Sequence, residues 1–146
     1  MRWSDLLRPP RVVHAHCDLP CGVYDPAQAR IEAESVVKIQ AMFKDASLRK
    51  PPNWSETQSE EEWQTRALKI KEERADLVKH HLWVLWTDYF KPDLIEKGNS
   101  TPEELHEKFW NATKLAGESK RSQDPAQGQK VLDAIDEIGR IFQASK

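Results

Sequence analysis

Four points along this chain carry helix-start signals, and that recurrence constrains the fold more than any other feature. Asp25-Pro26 supplies an N-cap and a first-position proline, with Gln28 placed to close a capping box. Ser59 and Glu62 form a second box. Thr101-Pro102 with Glu104 opens a third helix, and Asp124-Pro125 opens a fourth. Breakers fall between these signals. Lys50-Pro51-Pro52-Asn53 ends the first region, and Gly117 lies near the expected end of the third helix. The first helix is expected to run to about Ala46. The second is expected to reach Phe90, roughly 45 Å at about 1.5 Å per residue.

The apolar spacing inside each segment is helical. Glu32, Val36, Ile39 and Phe43 fall on one stripe of the first segment. In the second, Trp63, Ala67, Ile70, Arg74, Leu77, His81 and Val84 recur about every 3.5 residues. Leu105, Phe109, Ala112 and Ala116 point inward in the third, and Val131, Ile135, Ile138 and Phe142 in the fourth. No strand-type alternation competes. The expected fold is all-α, an antiparallel up-down four-helix bundle over residues 25–146. Asp124-Pro125-Ala126-Gln127 repeats Asp25-Pro26-Ala27-Gln28 as a shared capping solution, not an internal duplication.

Two charges break the stripes, Glu32 on the first helix and Arg74 on the second. A buried charge without a partner costs several kcal/mol, so the two are expected to pair with each other or with a third polar group. His81 falls on the second stripe and His80 beside it, and the two suit a core or interface better than a metal.

Bulk properties exclude several classes. At 146 residues the chain suits one domain with a modest core. The net charge is −2 and no basic block interleaves with aromatics, which argues against nucleic acid. No apolar run is long enough for a membrane span. Residues 1–15 carry Arg2, Arg8 and Arg11 and end in Val13-His14-Ala15, which satisfies the small-residue rule for secretory cleavage. Arg8-Pro9-Pro10-Arg11 nonetheless interrupts what should be an apolar h-region. A leader on a cytoplasmic protein fits better than a secretory signal.

The chemistry is concentrated at residues 16–24. His16-Cys17-Asp18-Leu19-Pro20-Cys21-Gly22-Val23-Tyr24 holds the chain's two cysteines, spaced C-x-x-x-C, with a histidine before the first. Two such cysteines can close a disulfide or remain inert thiols. With the imidazole they can also wrap a metal ion, and side-chain donors of this kind alone suit zinc, copper, nickel or iron. The residue order adds a further possibility. Cleavage between Ala15 and His16 would free an amine that closes successive chelate rings with the Cys17 amide nitrogen and sulfur. Fused rings through a planar amide favour a square arrangement, the geometry of Ni(II) or Cu(II). Thiolates with an ionised amide are strong electron donors that bring Ni(III) within reach.

This hook resembles that of the nickel-containing superoxide dismutases, H-C-x-x-P-C-x-x-Y. The likeness continues through Asp25 to Val36, through Lys71-Glu72-Glu73-Arg74-Ala75, and from Lys79-His80-His81 to Lys91-Pro92. The resemblance implies conversion of superoxide to oxygen and hydrogen peroxide by Ni(II)/Ni(III) cycling, with one nickel ion per subunit. It assigns His16, Cys17 and Cys21 as metal ligands and Tyr24 as the residue guarding substrate access. Glu32 and Arg74 become the chain that steadies the His16 ring. Tyr89 and Lys91 match positions near the hook, and Lys91 adds positive potential for an anionic substrate. The resemblance further implies a homohexamer, with Trp54, Trp83, Trp86 and Trp110 available for subunit contacts, and a maturation protease that removes residues 1–15. The rival reading is a non-catalytic nickel, copper or zinc carrier or sensor using the same hook.

Changing Cys17 or Cys21 to serine replaces a thiolate with a weakly donating hydroxyl. Each variant is expected to lose redox cycling while keeping its helical content, checked by dismutase assay and circular dichroism on the same samples. Near-normal dismutation would move the site away from the hook.

Overall fold

The structure is a computed structural model that describes residues 22–50 and 55–146; the expected leader, the expected hook ligands His16, Cys17 and Cys21, and Trp54 lie outside them. Four long helices make up most of the described chain: α1 (Ala27–Lys44), α2 (Glu60–Val84), α4 (Pro102–Arg121) and α5 (Pro125–Ala144). A 3-10 turn (Ala46–Leu48) follows α1. A π-helical turn (Leu85–Tyr89) and the short α3 (Pro92–Lys97) link α2 to α4. No strand occurs among the described residues.

Cross-links between helices set the directions. Arg30 pairs with Asp136 at 2.9 Å and Lys44 with Asp124 at 2.8 Å, so α1 and α5 are antiparallel. Asp76 pairs with Lys120, and Trp86, in the π-turn that follows α2, meets His106 near the start of α4. Gln127 bonds Glu118 and Lys108 pairs with Glu137, which reverses α5 against α4. Each long helix packs on the next and α5 returns to α1, closing the up-down four-helix bundle.

The start signals act largely as expected. Ser59 Oγ accepts the Glu62 N–H at 3.2 Å while the Glu62 carboxylate accepts the Ser59 N–H at 2.8 Å. Thr101 and Glu104 repeat this exchange, and Asp124 Oδ1 accepts the Ala126 N–H at 3.1 Å. At α1 the arrangement differs. Pro26 takes the cap position, and Asp25 Oδ1 accepts the Ala27 N–H at 2.8 Å, so the hydrogen-bonding half of the motif comes from Asp25 and not from a Gln28 box. α1 stops at Lys44, where the Asp45 carboxylate takes the Ser47 N–H and starts the 3-10 turn. α4 runs past Gly117 to Arg121, where Lys120 and Arg121 complement the helix dipole and the extended Ser122 ends it.

The inward faces of α4 and α5 are the expected ones. Those of the first two helices are not. α1 buries Ala29, Ala33, Val36 and Gln40, leaving Glu32, Ile39 and Phe43 on its flanks. α2 buries Trp63 and Ala67 and then Lys71, Ala75, Val78 and Leu82, with Leu85 following. The expected Ile70, Arg74, Leu77, His81 and Val84 sit one residue away. A straight helix repeats about every 3.6 residues, so a stripe drawn at 3.5 drifts by about 20° per heptad and leaves the true face within α2.

The joint between α2 and α4 was not expected in detail. The Phe90 N–H reaches Leu85 O at 3.1 Å, a π-type bond that accommodates one extra residue and lets Leu85 and Phe90 both enter the core. Pro92 then starts α3, and Asn99 closes it at φ 54° with the Ser100 N–H on Ile95 O at 3.2 Å.

Polar groups pin the opposite end of the bundle. Lys71, 1% exposed, donates from Nζ to Ser122 O at 2.6 Å. Gln40 Nε2 donates to the same carbonyl at 3.1 Å, so α1 and α2 both hold the α4–α5 joint. A Cβ on residue 128 would collide with Gln40 Oε1 and Val37 Cγ2, so only glycine lets α5 approach α1 here.

Burial holds the pKa of Lys71 below its ordinary 10.5. The unfolded chain then binds that proton more tightly, and the cost of the buried ammonium shrinks as pH rises through the lowered value toward 10.5. Lys71→Met keeps the volume, and Ser122 O keeps its bond from Gln40. Stability should be unchanged or higher by about 1 kcal/mol near neutral pH, with the difference narrowing in alkaline buffer. Denaturant midpoints at the two pH values check this.

Candidate metal centre

The cysteine segment joins the bundle through Gly22, whose φ of +71° is a left-handed conformation that glycine adopts without steric cost. Tyr24 follows, half-buried, with its ring 5.8 Å from that of Tyr89. Pro26 is buried at the head of α1, and Gly139 of α5 faces its ring. The hook is thereby attached where the start of α1 meets the π-turn after α2 and the end of α5.

The expected pairing of Glu32 and Arg74 is present across the α1–α2 seam. Arg74 Nη1 donates to Glu32 Oε2 at 3.0 Å and to Oε1 at 3.3 Å. The expected depth of burial is not. The Glu32 side chain is 14% exposed but that of Arg74 is 41% exposed, because residue 74 lies off the buried face of α2. The pair holds a carboxylate in place at moderate electrostatic strength, partly screened by solvent.

The remaining expected residues separate clearly. Tyr89 is half-buried and meets Tyr24, whereas Lys91 is exposed at the cap of α3. His80 and His81 stack edge to face at 5.5 Å. Among the described residues no group of three His, Cys, Asp or Glu could hold a metal ion. Both cysteines of the chain are at 17 and 21, so any thiolate-bound metal must sit on the hook. Its donor set, an imidazole with two thiolates, fits nickel.

One feature here was missed from sequence. The Tyr89 hydroxyl lies 2.9 Å from Ser145 Oγ, and Ser145, just past α5, is 1% exposed. The available signal was position: Ser145 continues the row Val131, Ile135, Ile138, Phe142, where an apolar residue would be expected.

Residues 11–146 match the family of nickel-containing superoxide dismutases. The chain belongs to that family. It is 48% identical over 143 residues to the nickel superoxide dismutase of Streptomyces coelicolor, covering 98% of this chain and 97% of that one. To the enzyme of Streptomyces seoulensis it is 50% identical over 143 residues, with the same shares covered. It superimposes on a native nickel superoxide dismutase structure with a TM-score of 0.70 at 50% identity, covering 88% of this chain and 97% of that chain. Membership of this oxidoreductase family disfavours a non-catalytic carrier or sensor.

Glu32→Ala or Arg74→Ala should each lower stability by about 1–2 kcal/mol, between the ~0–1 of an exposed pair and the ~3–5 of a buried one. The loss should shrink in concentrated salt, which screens the exposed guanidinium. Urea unfolding at low and high ionic strength checks both points.

Proposed function

We propose that this chain dismutes superoxide at one nickel ion per subunit, held by His16, Cys17 and Cys21 once a maturation protease has removed residues 1–15. The observation that carries the reading is the family match over residues 11–146, which spans the hook. The lack of any other metal-competent cluster among the described residues supports placing the ion there. Bound nickel supplies one-electron chemistry between Ni(II) and Ni(III), so that one superoxide leaves as oxygen and a second, with two protons, as hydrogen peroxide.

The protein residues hold, orient and admit. His16 offers its freed amine and its imidazole, and the two cysteines offer thiolates. Glu32, fixed by Arg74 at 3.0 Å, orients the His16 ring as a hydrogen-bond acceptor. Tyr24 stands at the mouth of the hook and hydrogen-bonds small ligands there. Exposed Lys91 raises the local potential for an anion.

The enzyme is a cytoplasmic homohexamer in this reading. Trp83 and Trp110, 54% and 56% exposed, are large apolar surfaces suited to subunit contact. No helix among the described residues is long and apolar enough to cross a membrane. Interruption of the leader's apolar region by Arg8-Pro9-Pro10-Arg11 supports the cytoplasm.

Processing gives the decisive test. In the uncleaved chain the His16 nitrogen is a peptide amide, a poor donor unless deprotonated. Cleavage after Ala15 in the presence of nickel is expected to create dismutase activity and a Ni(III) electron spin resonance signal, and Glu32→Ala to weaken that signal. Full activity from the uncleaved chain would refute this ligand set.

A further inference from the structure

We propose that Ser145 is a positioning residue for the substrate entrance, acting through Tyr89 on Tyr24. The inference rests on the reading of Tyr24 as the entrance residue and adds a residue from the far end of the chain that this reading does not include.

The direction of the hydrogen bonds follows from their number. Ser145 Oγ donates its one proton to Phe142 O at 2.7 Å. Its lone pairs remain free to accept, so in the 2.9 Å contact with Tyr89 the tyrosine hydroxyl is the donor. A relay results, from Tyr89 to Ser145 to the Phe142 carbonyl, partly closed from water. Removing the serine hydroxyl leaves a half-buried phenol without this acceptor.

Ring contacts carry the constraint outward. Tyr89 is flanked by Phe142 at 4.6 Å and Phe90 at 5.0 Å, and it also meets Tyr24 at 5.8 Å, tilted by 54°. Tyr89 closes the π-turn, a local geometry that interrupts the regular α-helical ladder. The bond to Ser145 fixes the tip of this ring. Tyr24 leans on a ring so fixed. Position 145 also continues the buried face of α5, where a hydroxyl is costly unless its hydrogen bonds are used.

A simpler role would be that Ser145 only finishes α5 through its bond to Phe142 O. Kinetics separate the two. On cleaved, nickel-loaded enzyme of verified nickel content, superoxide decay after pulse radiolysis is followed for wild type, Ser145→Ala, Ser145→Thr, Tyr89→Phe and the Ser145→Ala/Tyr89→Phe double variant. Ser145→Ala and Tyr89→Phe should each lower kcat/KM by about 10-fold, as expected for a displaced entrance group. The double variant should be no worse than either single one, because both remove the same bond. Ser145→Thr, which keeps the hydroxyl, should restore the wild-type value.

Wild-type kcat/KM in Ser145→Ala with a lowered melting temperature would overturn the inference and leave a helix-end role. Multiplying losses in the double variant, or no rescue by threonine, would overturn it as well. Should Ser145→Ala fail to fold, Tyr89→Phe breaks the bond from the other side. Tyr24→Phe tests the underlying reading separately. Altered kinetics there with normal Ser145→Ala refute the serine's role alone, and normal kinetics in both refute the two together.

Discussion

Close packing of α1 into the groove between α2 and α5 is the constraint on which the rest of the molecule depends. α1 turns Ala29 and Ala33 inward, both essentially without exposure, and α5 answers with Gly128. Small residues let the backbones approach and let the larger side chains of the other helices fill the core. Because α1 is wedged in this way, Pro26 at its head is held beside Gly139 of α5, and Tyr24 just before it meets Tyr89 of the π-turn. That is the place from which Gly22 leads back to the hook, and it sets where Tyr24 and Glu32 can stand.

Polar side chains then lock the two ends of the bundle. At one end Gln40 and Lys71 converge on a single carbonyl, Ser122 O, and tie the α4–α5 joint to α1 and α2. At the other end Ser145 and Tyr89 join α5 to the π-turn. A core of aliphatic residues tolerates sliding of one helix past another, whereas a hydrogen bond from a buried group does not, since its loss leaves an unpaired polar atom. These bonds specify helix register more than they add stability.

Arg74 shows how a small rotational error changes the meaning of a residue. Placed on the buried face, it would form a dry ion pair with Glu32. Placed one residue off that face, it keeps the partner and stays 41% exposed. A pair of this kind contributes less than a fully buried one, about 1–2 kcal/mol. Its structural effect is to hold a carboxylate at the α1–α2 seam.

Capping chemistry is local, so the sequence alone determined where three of the long helices begin, that the chain is all-α, and which faces of α4 and α5 are buried. The proposed metal site at His16, Cys17 and Cys21 was likewise read from sequence alone, because its three donors lie within six consecutive positions. Sequence could not set the rotation of α1 and α2. That depends on a period of about 3.6 residues accumulated over many turns and on which neighbours approach most closely. Nor could it show that Gln40, Lys71 and Ser145, polar residues on apolar rows, are there for partners far away in the chain. Only the tertiary structure decided this, since a buried polar group is stable only where the fold brings it a partner.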